Sequence, residues 1–255
     1  MKRAILWTTF NMRQALGRSA YTAVDRAEDE PEKAYEINDI AVANLGAACR
    51  DHGIPMIYIS TDYVFSGEQH SSYREDDETD PCNLYGASKL AGERSLGLVL
   101  REHVILRTSG VFSAHGNNFV RAITRAYLRN GDNLRVVDDQ VCGPTWADDL
   151  AKAVVRIADN IRSFESKELW GTFQLSSVPA VSWFEFACEI IEAIPVTVRN
   201  KLMVEPIPSS AYPTRAKRPR CSILDCRKLE NIYGISQPSH DQALAVVVPA
   251  IVEDL

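Results

Sequence analysis

The sequence predicts an α/β fold in which helices flank a parallel β-sheet. Two short runs rich in apolar residues predict buried strands, one ending at Ser60 and the other at Thr108. Longer segments between and around them carry apolar residues at spacings of three and four, which predicts amphipathic helices. Strands that alternate with helices in this way are typical of parallel sheets.

The first clear helix is predicted to begin near Glu30. Pro31 suits a first helical turn, and acidic residues are favourable at the positive end of the helix dipole. Apolar residues continue at helical spacing to Ala48, and His52-Gly53 is a typical helix end. The strand at 55–60 follows directly, so we expect this helix to pack against the sheet.

Polar side chains follow the first buried strand at the point where it ends. Thr61 and Asp62 come directly after Ser60, and ligands of open α/β sheets bind at the carboxyl ends of strands. A second signal is the helix predicted from Leu84 to about 100, which carries Tyr85 and Lys89 four residues apart on one face. An ammonium beside a phenol lowers the phenol's pKa and makes it a usable proton donor. Alone, such a pair also occurs as packing and surface charge.

The rest of the chain predicts further strands and helices, and two regions. Residues 1–162 are predicted to form the sheet domain, and residues 163–255 a small α+β lobe over the ligand edge of the sheet. The boundary is soft, because the chain is expected to cross between the two regions more than once. The predicted strands are 104–108, 134–137, 172–175 and 203–206, and the predicted helices are 118–130, 146–160, 182–193, 225–233 and 240–247.

Composition and charge exclude several classes of function. The 255 residues carry a formal net charge of −6 and no long basic run, so nucleic acid is not an expected partner. The apolar stretch near the C-terminus is broken by Pro249 and is too short to span a bilayer. The six cysteines are scattered, which predicts free thiols in a reducing compartment and therefore a cytoplasmic protein without a structural metal site.

Two charged segments each have two interpretations. The basic stretch at 215–220 is either a solvated loop or a phosphate clamp, since arginine matches phosphate oxygens in bidentate geometry. The acidic run at 75–78 is expected to be a solvated loop. The alternative that two of its carboxylates bind Mg²⁺ is left open.

Six short sequence motifs, in order along the chain, resemble a known family. They are Ala20-Tyr21-Thr22-Ala23-Val24-Asp25, Ser60-Thr61-Asp62-Tyr63-Val64-Phe65, Tyr85-Gly86-Ala87-Ser88-Lys89, Gly116-Asn117-Asn118-Phe119, Asp139-Gln140 and Ala211-Tyr212-Pro213-Thr214. Together they resemble the extended short-chain dehydrogenase/reductase family and, within it, the dTDP-4-dehydrorhamnose reductases. The resemblance runs from about residue 20 to the C-terminus.

The resemblance implies a reaction and its cofactor. The expected reaction is reduction of dTDP-4-dehydro-L-rhamnose to dTDP-L-rhamnose with NADPH, or NADH, as hydride donor. The dTDP-sugar is the expected partner, and a homodimer is left open.

The resemblance also implies roles for individual residues. Tyr85 would donate the proton, Lys89 would assist it and hold the nicotinamide ribose, and Thr61 would bond the carbonyl oxygen. Ala20, Tyr21 and Thr22 would lie along the cofactor. The substrate-binding residues implied, besides Thr61, are Asp62, Asn118, Arg215 and Arg218, and within this resemblance we favour the phosphate clamp.

Two departures from the family pattern shape these expectations. No glycine precedes Gly17, although a dinucleotide fold opens with a glycine-rich turn, so roughly 60 residues of strand–helix units are expected to be absent. The predicted sheet is therefore an incomplete Rossmann-type sheet with exposed apolar surface. The sequence does not distinguish between four origins of this difference, which are a gene fragment, a wrong start site, a deletion and a degenerate copy. Gly110 also stands where relatives usually carry tryptophan.

Two other functions are kept open. One is a non-catalytic sugar-nucleotide-binding or regulatory subunit that has lost the cofactor's phosphate loop, which the missing glycines favour and the retained Tyr85–Lys89 pair disfavours. The other is a sugar-nucleotide epimerase, which shares that pair. The Asp139-Gln140 and Tyr212-Pro213-Thr214 motifs favour the reductase.

Overall fold

The computed structural model describes residues 6–7, 20–129, 133–163, 166–198 and 203–255. Its strands are β1 (Leu6–Trp7), β2 (Met56–Thr61), β3 (His103–Thr108), β4 (Leu134–Val137), β5 (Val141–Cys142), β6 (Gly171–Leu175), β7 (Val181–Ser182) and β8 (Val204–Ile207). Its α-helices are α1 (Val24–Ala27), α2 (Pro31–Tyr35), α3 (Ala41–Asp51), α4 (Leu84–Val99), α5 (Phe119–Leu128), α6 (Ala147–Ser163), α7 (Trp183–Glu192), α8 (Arg227–Tyr233) and α9 (His240–Glu253). A π-helical turn, Glu36–Ile40, joins α2 to α3.

The main sheet has four parallel strands in the order β1-β2-β3-β6. Met56 and Ile105 on one face pack in the same core as residues of α3 and α4. Val104 and Phe173 on the other face pack with residues of α6 and α8. The predicted α/β fold with a parallel sheet flanked by helices is confirmed. Of residues 1–19 the structure describes only Leu6–Trp7, which pairs with β2 as strand β1.

A second core lies beside the main sheet. Buried residues of α5, α7 and α9 form it, together with the parallel pair β4–β8 and the antiparallel pair β5–β7. Strand β6 follows residue 162 but pairs with β3 in the main sheet, and α5 precedes residue 162 but belongs to the second core. The chain thus crosses between the two groups of elements, and the division into 1–162 and 163–255 stays a prediction.

The π-helical turn fixes the height of α4 above the sheet. Asn38 lies in this turn, and its backbone oxygen accepts a hydrogen bond from the Tyr58 hydroxyl of β2 at 3.1 Å. Gly92 of α4 faces the same oxygen so closely that an added Cβ would stand 1.9 Å from it. Only glycine therefore allows α4 to approach the turn this closely, and neither the π-helical turn nor the close approach is predictable from local sequence pattern.

Replacing Gly92 by alanine should destabilise the fold by about 1–3 kcal/mol or more, because the added carbon meets backbone that cannot rotate away. Gly97 is the matched control, since it is an exposed glycine of the same helix and its added Cβ would meet nothing nearer than 3.9 Å. Gly97→Ala should stabilise by about 0.5–1 kcal/mol through the helix preference of alanine. Urea unfolding of both variants checks this, and equal effects would contradict it.

No helix within the described ranges is both long and apolar enough to cross a membrane.

Candidate active site

One cavity of about 840 Å³ opens at the carboxyl ends of β2 and β3. Strand β2 ends in Thr61, and a single 3₁₀ turn, Asp62–Val64, carries the chain away from the sheet at that edge. Helix α4 begins beside it, so residues from two separate segments meet in the cavity wall. Of the residues predicted to form the site, the cavity is lined by Ala20, Thr22, Thr61, Asp62, Tyr85 and Lys89.

Tyr85 lies in the first turn of α4, and two bonds fix that turn. The Asn83 side chain accepts a hydrogen bond from the Gly86 N–H at 2.8 Å, and the Leu84 N–H donates to Glu28 at 2.8 Å. The ring of Tyr85 meets the ring of Tyr63 edge-on at 5.9 Å between centroids. This arrangement holds the Tyr85 phenol beside Thr61, at the carboxyl end of β2.

Burial raises the pKa of Tyr85 to about 12. The nearby Asp62 carboxylate also raises this pKa, and the Thr61 hydroxyl lowers it. The sequence predicts a lowered pKa for Tyr85. The structure differs, because burial raises this pKa by more than the Thr61 hydroxyl lowers it. The phenol therefore keeps its proton at neutral pH, which is the form that a proton donor needs.

Lys89 is buried, and its ammonium is held against β2 at the edge of the cavity. Nζ donates a hydrogen bond to the Ile59 carbonyl at 2.7 Å and stands 3.9 Å from the centroid of the Tyr58 ring. Burial lowers the pKa of Lys89 to about 7, while the Glu93 carboxylate opposes this shift. The ammonium is thus directed at a β2 carbonyl next to the cavity, and its charge changes within the physiological pH range.

Thr61 and Asp62 form a buried hydroxyl–carboxylate group. Thr61 donates to Asp62 at 3.1 Å and accepts the Tyr63 N–H at 3.2 Å. Asp62 also accepts hydrogen bonds from Ser109 at 2.7 Å and Ser222 at 2.6 Å. Burial raises the pKa of Asp62, and the three hydroxyls oppose that rise.

Two further hydroxyls line the cavity and were missed by the sequence analysis. The side-chain oxygens of Ser60 and Thr108 are buried and have no hydrogen-bond partner among the described residues. Buried polar atoms nearly always have a partner, so unpaired hydroxyls at a cavity wall mark places where a ligand can bond. The available signal was their position, since each lies at the carboxyl end of a buried strand.

Of the three residues predicted to lie along a cofactor, Ala20, Tyr21 and Thr22, two line the cavity and one does not. Ala20 and Thr22 line the cavity, whereas the Tyr21 ring lies outside it and its hydroxyl donates to Glu30 at 2.8 Å. The Tyr21 backbone is held at both ends by the Asn38 side chain, through bonds of 2.9 and 3.0 Å. Tyr21 therefore lies outside the cavity lining, and its role along a cofactor stays a prediction.

Asn118 lies at the start of α5 and serves as its cap. Its side-chain oxygen accepts the Arg121 N–H at 3.1 Å, and its amide nitrogen donates to the Ser113 carbonyl at 2.9 Å. The neighbouring Asn117 lines the cavity instead. A substrate-binding role of Asn118 stays a prediction.

The two arginines predicted to clamp phosphate are engaged in ion pairs. Arg218 donates to both carboxylate oxygens of Asp25, at 3.0 and 2.7 Å, and lowers the pKa of that carboxyl. Arg215 pairs with Asp29. Neither arginine lines the cavity, so phosphate binding there requires these ion pairs to open, and the clamp stays a prediction.

Gly110 has φ of 51° and leaves room for another aromatic residue. The Trp183 ring would stand 3.3 Å from a Cβ at position 110, and it lines the cavity together with Phe119, 4.7 Å away between ring centroids. Gly110 has no side chain of its own, and the aromatic surface next to it is that of Trp183 in α7. The sequence concealed this because the two residues are 73 positions apart.

The Mg²⁺ alternative for the acidic run receives no support. Among the described residues, the group of side chains whose ligand atoms lie close enough to hold a metal ion is Glu189, His240 and Asp241, in the second core. The run at 75–78 forms no such group in that part of the chain.

Comparison with known proteins places this site in a family. The family model described as RmlD substrate binding domain matches residues 10–252. A curated dTDP-4-dehydrorhamnose reductase of Sinorhizobium fredii is 41% identical over 233 residues, covering 91% of this chain and 78% of the relative. The chain belongs to the dTDP-4-dehydrorhamnose reductase family.

Solved structures of dTDP-4-dehydrorhamnose reductases agree with this assignment. The enzyme of Clostridium acetobutylicum has a TM-score of 0.83 and 33% identity, covering 92% of this chain and 79% of that one. The Bacillus anthracis enzyme, solved in complex with NADP, has a TM-score of 0.80 and 32% identity, with coverage of 92% and 78%. The family resemblance that the six motifs indicate is confirmed.

Proposed function

We propose that this chain reduces the C4 carbonyl of dTDP-4-dehydro-L-rhamnose to give dTDP-L-rhamnose, with NADPH as the hydride donor. The observation that supports it best is the convergence of Tyr85, Lys89 and Thr61 on one cavity. These three come from two segments separated in the sequence, and each carries a group that carbonyl reduction needs.

The chemistry of the cavity fits a nicotinamide cofactor. Lys89 offers a buried ammonium for a ribose hydroxyl, and the unpaired hydroxyls of Ser60 and Thr108 offer further hydrogen bonds. Ala20 and Thr22 would lie along the nucleotide. NADPH, when bound, supplies the hydride.

The side chains of this protein supply the proton and hold the carbonyl. Charge develops on the carbonyl oxygen as the C–H bond forms, and groups that bond this oxygen lower the barrier. Tyr85 gives its phenol proton to the oxygen, and Thr61 bonds the same oxygen from the end of β2. Lys89, which is held at the Ile59 carbonyl, would hold the nicotinamide ribose.

We assign the sugar nucleotide to the opposite side of the cavity, toward residues 163–255. Asn118, Arg215 and Arg218 are proposed to contact it once the Asp25 and Asp29 ion pairs open. Residues 1–162 are proposed as the cofactor-binding part, and the cytoplasm, where nucleotide sugars are made, as the compartment.

One sequence observation favours a second candidate, a sugar-nucleotide-binding subunit without catalysis. Residues 1–16 contain no glycine, whereas dinucleotide-binding folds hold the pyrophosphate at a glycine-rich turn. Such a subunit would bind dTDP-L-rhamnose and leave NADPH unbound.

Calorimetry on the 255-residue chain separates the two candidates. We expect NADPH to bind with a micromolar dissociation constant, and NADPH to be consumed when dTDP-4-dehydro-L-rhamnose is added. Binding of dTDP-L-rhamnose by a folded chain that ignores NADPH would overturn the reductase proposal in favour of the binding subunit.

A further inference from the structure

Three side chains that carry metal-binding groups meet between helices α7 and α9. Glu189 lies in α7, and His240 and Asp241 are the first two residues of α9. One ligand atom of each residue lies within 4.8 Å of those of the other two. None of these three residues lines the cavity of the candidate active site, so the group is separate from the residues proposed for carbonyl reduction.

The imidazole of His240 is fixed so that Nε2 faces both carboxylates. Nε2 lies 2.7 Å from Glu189 Oε2 and 3.7 Å from Asp241 Oδ1. The ring is fully buried and packs edge-on against Phe186, with 5.4 Å between ring centroids. Nδ1, on the other side of the ring, has no hydrogen-bond partner among the described residues. No donor on that side therefore fixes the ring proton on Nε2, and Nε2 can give up this proton to a metal ion.

The spacing of the ligand atoms is close to what a bound zinc ion requires. Zinc bonds to imidazole nitrogen and to carboxylate oxygen are about 2.0–2.2 Å long and usually tetrahedral, so two ligand atoms on one ion stand about 3.4 Å apart. The two distances from Nε2, 2.7 and 3.7 Å, lie on either side of this value. Side-chain movements of about 1 Å therefore bring the three atoms to bonding distance.

The charge around the group favours a cation. Neither Glu189 nor Asp241 forms an ion pair with lysine or arginine in the described part of the chain, and their ionic partner there is the His240 ring. The neighbouring Cys188 thiol has its pKa raised by burial and then by four carboxylates, Glu192, Glu189, Asp138 and Glu185. The positive end of α9 opposes a cation, but a helix end acts more weakly than two carboxylates in direct contact.

We propose that Glu189, His240 and Asp241 bind Zn²⁺ or a similar divalent transition-metal ion, which joins α7 to α9 in the second core. One imidazole nitrogen with two carboxylates suits zinc, whereas Mg²⁺ prefers oxygen ligands. The Glu189 and Asp241 side chains are 30% and 67% exposed, so the ion can enter from solvent and water can take the remaining position. Local sequence pattern conceals this site, because Glu189 and His240 lie 51 positions apart.

Zinc titration of the full 255-residue chain, stripped of metal with a chelator and kept reduced, tests the proposal. Calorimetry should show one ion bound per chain. The melting temperature should rise by about 5–10 °C when free Zn²⁺ exceeds the dissociation constant about 100-fold, and Mg²⁺ should leave it unchanged. A folded chain that gives neither heat nor a shift with Zn²⁺ would overturn the proposal. An equal response to Mg²⁺ would exclude the imidazole as a ligand and overturn it as well.

Glu189→Gln and Asp241→Asn are the variants that test the ligands. Each keeps the shape of its side chain, and the new amide oxygen at position 189 can still accept the His240 hydrogen bond. Each should weaken zinc binding by at least about tenfold, a loss that is usual even for groups behind the ligands. Glu253→Gln is the control, since Glu253 is an exposed acid at the other end of α9, and it should bind zinc like the wild type. Wild-type affinity in both ligand variants would overturn the proposal.

Cysteine is the competing zinc ligand, and Cys188 is the half-buried thiol next to Glu189. Cys188→Ser should bind zinc with wild-type affinity, and loss of binding in this variant would assign the ion to the thiol and overturn the proposal. These measurements do not depend on turnover. Failure of the metal site and failure of the proposed reductase function are therefore distinguishable, since NADPH oxidation decides only the second.

Discussion

Tyr85→Phe should lower kcat for carbonyl reduction by about 10²–10⁴-fold, the usual contribution of a positioned acid. The Tyr85 phenol keeps its proton at neutral pH and lies beside Thr61 and Asp62. Thr61 lowers its pKa, and Asp62 raises it. Removing one oxygen leaves the ring, its edge-on contact with Tyr63 and the cap of α4 in place. The melting temperature should therefore stay near the wild-type value.

Tyr63→Phe is the matched control for this variant. Tyr63 is a partly exposed tyrosine on the same wall, and its hydroxyl makes no hydrogen bond that the described structure records. Its loss should change kcat by less than about threefold. Steady-state rates of NADPH oxidation with dTDP-4-dehydro-L-rhamnose distinguish the variants, and a Tyr85→Phe enzyme with wild-type kcat would exclude Tyr85 as the proton donor.

The parts of the site that the sequence predicted well are those set by local pattern. Thr61 and Asp62 follow a buried strand directly, so the sheet itself places them at its carboxyl edge. Tyr85 and Lys89 share a helix face by their spacing alone. These four positions, together with the strands and helices that carry them, required no knowledge of distant contacts.

The parts that escaped prediction depend on residues far apart in the chain. Arg218 and Asp25 are separated by 193 positions, and only the folded chain shows that their charges neutralise one another. Ser222 reaches Asp62 over 160 positions. The pKa of Tyr85 rises because packing buries its phenol. The extent of this burial depends on residues from several segments, so no single segment predicts it.

A buried ion pair attaches the catalytic helix to the sheet. Arg107 of β3 donates to Glu93 of α4 through Nε, at 3.1 and 3.2 Å, and through Nη2, at 2.7 Å. Both side chains are about 5% exposed. Arg107 also donates to the Glu75 carbonyl at 3.3 Å and lies over the Phe65 ring. One guanidinium therefore joins α4, β3 and the acidic loop.

Replacing Glu93 by alanine should cost about 3–5 kcal/mol of unfolding free energy, because it leaves the Arg107 charge buried without a partner. The double variant Glu93→Leu/Arg107→Met should recover most of this loss, because apolar side chains of similar volume carry no charge whose burial costs hydration energy. The exposed pair between Arg162 and Asp159 provides the control, and Asp159→Ala should change stability by less than about 1 kcal/mol. Urea denaturation gives the change in unfolding free energy for all three variants, and a Glu93→Ala protein as stable as Asp159→Ala would contradict a stabilising role for the buried ion pair.

Loss of Glu93 should also affect the active site, because it changes the pKa of Lys89, which lies one helical turn away. The Glu93 carboxylate raises the pKa of Lys89 against the effect of burial, and together they leave it at about 7. Without Glu93 this pKa falls, so Lys89 loses its proton at a lower pH than in the wild type. We therefore expect the alkaline limb of the kcat profile to move toward lower pH in Glu93→Gln, whereas Asp159→Ala keeps the wild-type profile. A profile that does not move would show that the Lys89 charge is set without Glu93, and would leave the ion pair as an anchor of α4 alone.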